Sequence, residues 1–294
     1  MLTLLVVLVG LSGALIFGAA DFLGGLAAKH ISSIRVTAIA AVSGLAVLSL
    51  AFPFFGGTWS TEAVLFGGLS GIAGAGAIVL LYACLAIGPM SILSPLTAVV
   101  SAIVPMTAGL IRGERLEPLG YLALGLALVA VVLVGFVPDK KAVRPSLKAL
   151  IMATGSGALI GTFMILIDLT PDDSGLVPLI ANRSVNAALM VTTVAVLALV
   201  AARRRSRVEP VGTSVNLWTA VKLAIFCGVL DAVANALMLL GLRLGELTIM
   251  SVLTAMYSAG TIILAAIVIK ERLTPSQIAG LVLALAAAAM LAVV

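Results

Sequence analysis

The sequence has few of the side chains on which enzymes and redox proteins rely. Its two cysteines, Cys84 and Cys227, lie far apart in apolar segments and form no CxxC pattern, which argues against a metal site or a redox pair. The single histidine, His30, cannot supply a histidine-rich metal site or a Ser-His-Asp arrangement. We therefore predict a protein that is not an enzyme and that uses no metal and no cofactor.

Charged residues are equally scarce. Only 10% of the 294 residues are charged while 62% are hydrophobic, and the mean hydropathy of +1.29 is far above that of a soluble domain. Apolar runs of roughly 18 to 25 residues, each long enough to cross about 30 Å of hydrocarbon as a helix, fill almost the whole chain. The chain is predicted to lie in a lipid bilayer. Its basic residues cluster in loops beside the runs, which indicates membrane orientation and argues against nucleic-acid binding.

Hydropathy divides the chain into ten membrane-spanning helices, so the expected fold class is an all-α integral membrane protein. Proline falls at or near several divisions, as at Pro118, Pro171 and Pro275. The predicted helices are 4–28, 34–54, 62–87, 91–110, 118–137, 147–168, 176–201, 218–242, 247–269 and 276–294.

The second half of the chain repeats the first. At an offset of 157 residues, 74–130 aligns without a gap to 231–287, with 22 identities in 57 pairs. The phrase ERL at 114–116 recurs at 271–273, each time between two apolar runs. Because each unit has five helices, an odd number, the second must enter the membrane from the opposite side. Such inverted repeats are typical of transporters that open a central site to one face and then to the other.

Basic residues predict the orientation. Of the 17 lysines and arginines, 13 lie on the side that follows odd-numbered helices and 4 on the other side. The positive-inside rule places the side with 13 in the cytoplasm and both termini outside.

The paired five-helix units, with GERL or KERL closing the fourth helix of each, resemble the EamA-type members of the drug/metabolite transporter superfamily. Residues 80–135 are similar to one EamA module and residues 237–293 to the other. We accordingly predict a first repeat over 1–137, a linker over 138–146 and a second repeat over 147–294. The resemblance implies an exporter of amino acids or other small metabolites in a bacterial or archaeal plasma membrane. It also implies cytoplasmic termini, opposite to the orientation that the charges predict.

Asp231 is the acidic residue nearest the middle of a predicted span. A charge at that depth costs on the order of 3 kcal/mol, so it is retained more often for function than by accident. Asn235 lies one turn further along, on the same helix face. These two residues predict contact with a substrate or a proton. The alternative is a protonated aspartate that hydrogen-bonds to a neighbouring helix.

Arg183 in predicted helix seven stands beside Asn182 and Asn186 in the stretch NRSVN. An arginine keeps its proton, so at this depth it needs a carboxylate, an anionic substrate or a water-filled cavity. Arg35 lies near the matching point of the first half, where the family resemblance implies an arginine. Each arginine is interpreted either as a clamp for a substrate carboxylate or as a structural anchor.

Three further residues are candidates. Asp21, in the glycine-rich stretch FGAADFLGG, is interpreted as a substrate or proton site or as an interhelical hydrogen bond. Tyr82 and Tyr257 lie within predicted helices three and nine, where a phenol can stack on a ligand and orient it, or can only pack.

The two charged phrases have a structural interpretation. Their arginines and lysine are expected to stop a helix at the membrane interface. Glu114 and Glu271 are expected to pair with neighbouring basic residues across one helix-end turn. Pro118 and Pro275 then begin the next helices without losing a needed N–H.

These features predict a secondary transporter that moves a small polar or amphipathic metabolite through a central cavity, with export as the expected direction. No ATP-binding motif is present, so a gradient must drive transport, and proton coupling through Asp231 or Asp21 is a hypothesis. Import of a sugar or another metabolite is the alternative within transport. A non-transporting receptor or scaffold is the alternative outside it. An enzyme acting on lipid-linked substrates would need a cluster of acids or metal ligands that the sequence lacks.

Overall fold

The computed structural model describes residues 2–88, 90–135, 145–204, 217–268 and 274–291, and the regular secondary structure within these ranges is entirely helical. The helices are α1 (Leu2–Ala28), α2 (Ser33–Phe55), α3 (Thr61–Ile87), α4 (Met90–Ile111), α5 (Pro118–Gly135), α6 (Leu147–Asp168), α7 (Val177–Arg204), α8 (Leu217–Leu244), α9 (Leu247–Ala255), α10 (Tyr257–Val268) and α11 (Pro275–Leu291), with a single 3-10 turn at Asp172–Ser174.

The number of spans agrees with the hydropathy of the sequence. Eight segments are long and apolar enough to cross a membrane, one of them Leu247–Leu264 in α9 and α10, and two shorter apolar helices lie in α5 and α11. The prediction of ten helices is confirmed. The second charged phrase at 269–273 and residues 138–144 of the predicted linker lie outside the described residues.

The ninth span differs from its prediction as one continuous helix. Met256 forms a tight turn between α9 and α10, and its N–H points to the carbonyl groups of Leu253 and Thr254. The turn leaves Thr254 and Tyr257 on either side of the break. Both residues line the cavity described below.

Serine caps start three of the helices. The side chains of Ser32, Ser60 and Ser146 each accept a hydrogen bond from a backbone N–H in the first turn of α2, α3 and α6. Between their caps the helices are apolar on most faces, as expected for helices surrounded by lipid or by other helices. Hydropathy therefore determines the position of each helix along the chain but says little about which face packs inward.

The two repeats interlock, so that each packs its helices against those of the other. α3 packs against α6 and α7, and its repeat counterpart α8 packs against α1 and α2. In the same way α4 packs on α6, while α10 packs on α1. The result is a first bundle of α3, α4, α6 and α7 and a second bundle of α1, α2, α8, α9 and α10. The bundles meet where α2 contacts α7 and where α4 contacts α9, and α5 packs on α11.

Loops that follow even-numbered spans meet at one end of the molecule. The hydroxyl of Thr58, after α2, donates to a carboxylate oxygen of Asp173, after α6, at 2.8 Å. Arg112, after α4, donates to Asp168 at the end of α6 at 2.7 Å. We call this end the even face; it comprises residues 56–60, 112–117, 169–176 and 245–246. Because α1 begins at the even face and α6 ends there, the two repeats have opposite orientations, as the sequence predicted.

A glycine allows a close helix crossing in the second bundle. Gly18 of α1 lies against the backbone of α10, so that a Cβ atom at this position would meet the backbone atoms of Tyr257 and Thr261. The hydroxyl of Thr261 donates to the carbonyl oxygen of Gly18 at 3.2 Å. Small residues at such crossings allow helix backbones to approach closely, which is how helices associate within a membrane.

Candidate functional site

A cavity lies between the two bundles, next to the central turns of α8. Its volume of about 70 Å³ exceeds the roughly 10–15 Å³ that one water molecule requires. Aliphatic and aromatic side chains form most of its wall. The charged and amide side chains that line it are Asp21, Asn182, Arg183, Asn186, Asp231 and Asn235.

Equivalent positions of the two repeats line the cavity, but their side chains differ in polarity. The offset of 157 residues relates Gly74 of α3 to Asp231 of α8 and Ile78 to Asn235, and all four residues line the cavity. At these equivalent positions, only the second repeat supplies polar groups. The repeat therefore forms the cavity, while differences between its two copies give it a polar wall on α8.

An ion pair crosses the cavity from one bundle to the other. Nη2 of Arg183, on α7, donates to Oδ2 of Asp231, on α8. The two side chains are only 8% and 9% exposed, so both charges are largely desolvated. Such a pair gives little net stability, but removing either partner leaves an uncompensated charge. The sequence allowed Arg183 three partners: a carboxylate, an anionic substrate or a water-filled cavity. In the structure Asp231 supplies the carboxylate.

Asp21 contributes a second carboxyl group to the same cavity. It is 7% exposed and accepts no hydrogen bond from any residue that the structure describes. One guanidinium and two carboxylates would give the site a net charge of −1. A buried carboxyl group without a partner is stable as the neutral acid or as a carboxylate beside a bound cation.

Amide groups complete the polar wall, and they differ in their hydrogen bonding. Nδ2 of Asn182 donates to the Ser70 hydroxyl on α3 at 2.8 Å, which holds α7 against α3. Nδ2 of Asn235 donates to the backbone carbonyl of Asp231 at 2.7 Å. Oδ1 of Asn235 and Oδ1 of Asn186 are buried and have no hydrogen-bond partner among the described residues. Two amide oxygens are thus left available in a buried site.

Tyr82 lies behind the cavity instead of in its wall. Its hydroxyl is 3.0 Å from Sγ of Cys227 on α8, and its ring packs against the backbone at Gly24 of α1. Tyr82 therefore joins the two bundles by packing and one hydrogen bond. Tyr257, by contrast, lines the cavity from α10 with a buried ring.

Arg35, unlike Arg183, is not among the residues that line the cavity. It is exposed in the first turn of α2, where its backbone N–H donates to the Ser32 cap at 3.4 Å. The physical reason is position along the helix. Arg35 is the third residue of α2, at the membrane boundary, whereas Arg183 is in the second turn of α7 and faces inward.

Glu114 also differs from its sequence interpretation. Instead of pairing with a neighbouring basic residue, its carboxylate accepts hydrogen bonds from the backbone N–H groups of Leu247 and Thr248 at 3.1 and 2.9 Å. It thereby caps α9 from the end of α4, and a negative charge at a helix N-terminus is favourable. The nearby Arg112 pairs with Asp168 instead. The sequence signal for Glu114 was its repeated phrase, but no pattern indicated its partner.

Comparison with known proteins places this architecture. The model of the EamA-like transporter family matches residues 4–136 and, a second time, residues 147–293. The chain belongs to the EamA-like transporter family. A solved structure described only as a crystal structure of a protein superposes with a TM-score of 0.66 at 17% identity, covering 97% of this chain and 94% of that chain. At this identity the likeness shows the fold alone. No curated protein matches the sequence.

In this EamA-like chain the even face is held together by contacts between the bundles. The guanidinium of Arg243, at the end of α8, donates to the carbonyl oxygen of Thr170 at 2.7 Å and to the Thr170 hydroxyl at 2.5 Å. Thr170 belongs to the loop between α6 and α7. Together with the cap of α9 by Glu114, these contacts join the two bundles at the even face. The sequence alone indicated no role for Arg243 other than its place on the side with fewer basic residues.

Proposed function

We propose that this protein is a secondary active transporter that exports a small polar or amphipathic metabolite, such as an amino acid, from a bacterial or archaeal cell by alternating access. The observation that carries the proposal is the cavity between two bundles, crossed by the ion pair of Arg183 and Asp231 and containing the unpaired carboxyl group of Asp21. Buried charges are rare in membrane proteins and usually mark substrate or ion pathways.

Polar contacts between the bundles have to break for the cavity to open at the even face. They include the cap from Glu114 to α9, the hydrogen bonds from Arg243 to Thr170 and those between Thr58 and Asp173. Each joins the first bundle to the second. Rotation of one bundle against the other would break these contacts and expose the cavity, while the helix packing within each bundle is kept.

The Arg183–Asp231 pair fits a site that binds charged substrates. Only one hydrogen bond joins Nη2 of Arg183 to Asp231 among the described residues, and a guanidinium has five N–H donors. A substrate carboxylate can therefore bind the remaining donors without removing Asp231. With Asp21 protonated, the ion pair keeps the empty cavity nearly neutral, and a zwitterionic substrate adds no net charge to it.

Asp21 is the proposed site of proton coupling. A carboxyl group that is neutral in one state and ionised beside a bound cation in another exchanges one proton for one positively charged group. Alternating access then converts a proton gradient into substrate movement in the opposite direction. No nucleotide is needed for this cycle.

Counterflow in proteoliposomes tests the proposal. Vesicles containing the purified protein are loaded with a mixture of amino acids, and the uptake of each labelled amino acid is measured with and without a pH gradient. We expect saturable counterflow that is lost in Asp231→Asn and loses its pH dependence in Asp21→Asn. Glu62→Gln, at an exposed carboxylate in the first turn of α3, is the matched control and should transport normally.

The alternatives give different outcomes when a second set of vesicles is loaded with a mixture of sugars. Counterflow of sugars, without counterflow of amino acids, would favour a sugar as the substrate. Ligand binding without any counterflow would favour a receptor or scaffold and contradict the transport proposal. A wild-type rate unchanged in both aspartate variants would remove Asp21 and Asp231 from the mechanism.

A further inference from the structure

The cavity leaves two buried amide oxygens without partners. Oδ1 of Asn186 and Oδ1 of Asn235 have no hydrogen-bond partner among the described residues, and the two side chains are 2% and 3% exposed. Buried polar groups are nearly always hydrogen-bonded, so unpaired ones need an explanation. A bound ligand that donates hydrogen bonds supplies one.

The orientation of the Asn235 amide follows from its own hydrogen bond. Nδ2 donates to the backbone carbonyl of Asp231, which an amide oxygen cannot do. Oδ1 is therefore the free end of the amide. Asn235 thus offers an acceptor, and its orientation is maintained within α8 itself.

The charges of the site favour a cation. Arg183 is balanced by Asp231, while Asp21 has no partner among the residues that the structure describes. A ligand that meets both demands carries one positive charge and several hydrogen-bond donors. A primary ammonium group has one charge and three N–H donors, one for the carboxylate of Asp21 and one for each of the two amide oxygens.

The rest of the cavity wall indicates which kind of molecule carries the positive charge. Much of it is apolar, and it includes Phe17, Ile78, Phe163 and Met164. An apolar body packs against such side chains, and aromatic rings add favourable contacts with a nearby cation. A sugar would place hydroxyl groups against this wall and leave Asp21 uncompensated. The described residues contain no group of three or more side chains suited to a metal ion.

We infer that the central cavity recognises a primary ammonium group on an apolar body, through Asp21 and the amide oxygens of Asn186 and Asn235. The inference rests on the proposed transport function and names the substrate class of the same site. A carboxylate on the substrate is accepted by the spare donors of Arg183 but is not required.

Matched probes test the ammonium requirement. Isoamylamine and 2-phenylethylamine are compared with isoamyl alcohol and 2-phenylethanol, which have the same apolar bodies and no charge, and leucine is compared with N-acetylleucine. Binding is measured as the ligand-dependent rise in the melting temperature of the purified full-length protein and by isothermal titration. We expect the amines and leucine to bind at least about tenfold more tightly than their matched partners.

Variants assign the binding to the named residues. Asp21→Asn and Asn235→Leu should each weaken amine binding by about tenfold or more and leave binding of the alcohols unchanged, because they remove acceptors of the ammonium group. Glu62→Gln serves as the control that retains wild-type affinity. If Asp21→Asn does not fold, Asn235→Leu still tests the inference, because its amide carries no charge.

Several results overturn the inference. Equal affinity for amines and alcohols, unchanged amine affinity in both variants, or no stabilisation by any probe would each mean that only water occupies the free oxygens. The counterflow assay separates this failure from that of the transport proposal. Counterflow of a metabolite without an ammonium group would sink the inference and keep transport, whereas tight amine binding without counterflow would do the opposite.

Discussion

The carboxylate of Glu114 accepts a hydrogen bond from the backbone N–H of Thr248 at 2.9 Å, across 134 residues of sequence. The bond joins the end of α4 to the first turn of α9, and so joins the first bundle to the second. The first copy of the repeated charged phrase therefore joins the two repeats through this hydrogen bond.

Loss of this cap should destabilise the protein. We expect Glu114→Ala to lower the free energy of unfolding in detergent micelles by about 1–2 kcal/mol, because two N–H groups of α9 lose their acceptors and a favourable charge. Glu114→Gln should lie between wild type and Glu114→Ala, since it keeps one acceptor oxygen. Glu117→Ala, in the same loop but exposed, should change the value by less than about 0.5 kcal/mol. Equal effects of Glu114→Ala and Glu117→Ala would show that the cap contributes nothing.

Glu246, immediately before α9, should make stability depend on pH. Its Oε2 is buried without a partner among the described residues. Burial, and then the nearby carboxylate of Glu114, raise the pKa of Glu246 above its ordinary value near 4.5. The folded protein therefore keeps a proton that the unfolded chain releases, so stability falls as the pH rises from about 4.5 through the raised pKa.

The variant Glu246→Gln isolates this contribution. It should remove the corresponding part of the pH dependence and be more stable than wild type at neutral pH, as measured by unfolding free energies over a series of pH values. Glu117→Gln should keep the wild-type dependence. A parallel loss of stability with pH in wild type and Glu246→Gln would assign the effect to another group.

The buried ion pair predicts non-additive variants. Asp231→Asn leaves the guanidinium of Arg183 without its partner and should cost about 3–5 kcal/mol of unfolding free energy. The double variant Arg183→Met/Asp231→Asn removes both charges and should recover most of that loss, without recovering transport. The pair of Arg112 and Asp168, whose side chains are 36% and 21% exposed, is the comparison. Breaking it should cost no more than about 1 kcal/mol, and additive effects at Arg183 and Asp231 would contradict the prediction.

The crossing of α1 and α10 predicts a steric effect. Gly18→Ala places a methyl group against backbone atoms of Tyr257 and Thr261, which cannot move without moving α10, so we expect a loss of about 1–3 kcal/mol. Gly125→Ala, on α5, meets no atom within 4 Å and should be neutral or stabilising by up to about 1 kcal/mol. Thermal unfolding of both variants in the same detergent is the measurement. Similar melting temperatures would mean that α10 accommodates the methyl group.

Labelling in whole cells distinguishes the two predicted orientations. The positive-inside rule places the even face outside, so a membrane-impermeant maleimide should label Glu117→Cys in intact cells and Lys29→Cys only after permeabilisation. The native Cys84 and Cys227 are buried and should contribute little background. The reverse labelling pattern would support the cytoplasmic termini that the family resemblance implied.

The sequence by itself determined the membrane class, the ten helices and the inverted repeat. These follow from properties read along one dimension: the length of each apolar run, the odd number of runs in each unit, and the self-alignment at an offset of 157. The sequence also determined how deep the charged side chains lie in the membrane. Asp231 and Arg183 could be recognised as charges inside a span from their distance to its ends. Six of the eight candidate residues do line one cavity, although whether they bind a substrate is still a proposal.

Only the tertiary structure decided which of these residues meet. Helices that are apolar on most faces carry little periodic signal for the side that packs inward, so sequence gives the depth of a side chain without its direction. The pairing of Arg183 with Asp231, the isolation of Asp21 and the exposure of Arg35 all depend on that direction. The capping of α9 by Glu114 depends on the interlocking of the two repeats, which brings chain segments 134 residues apart into hydrogen-bond contact.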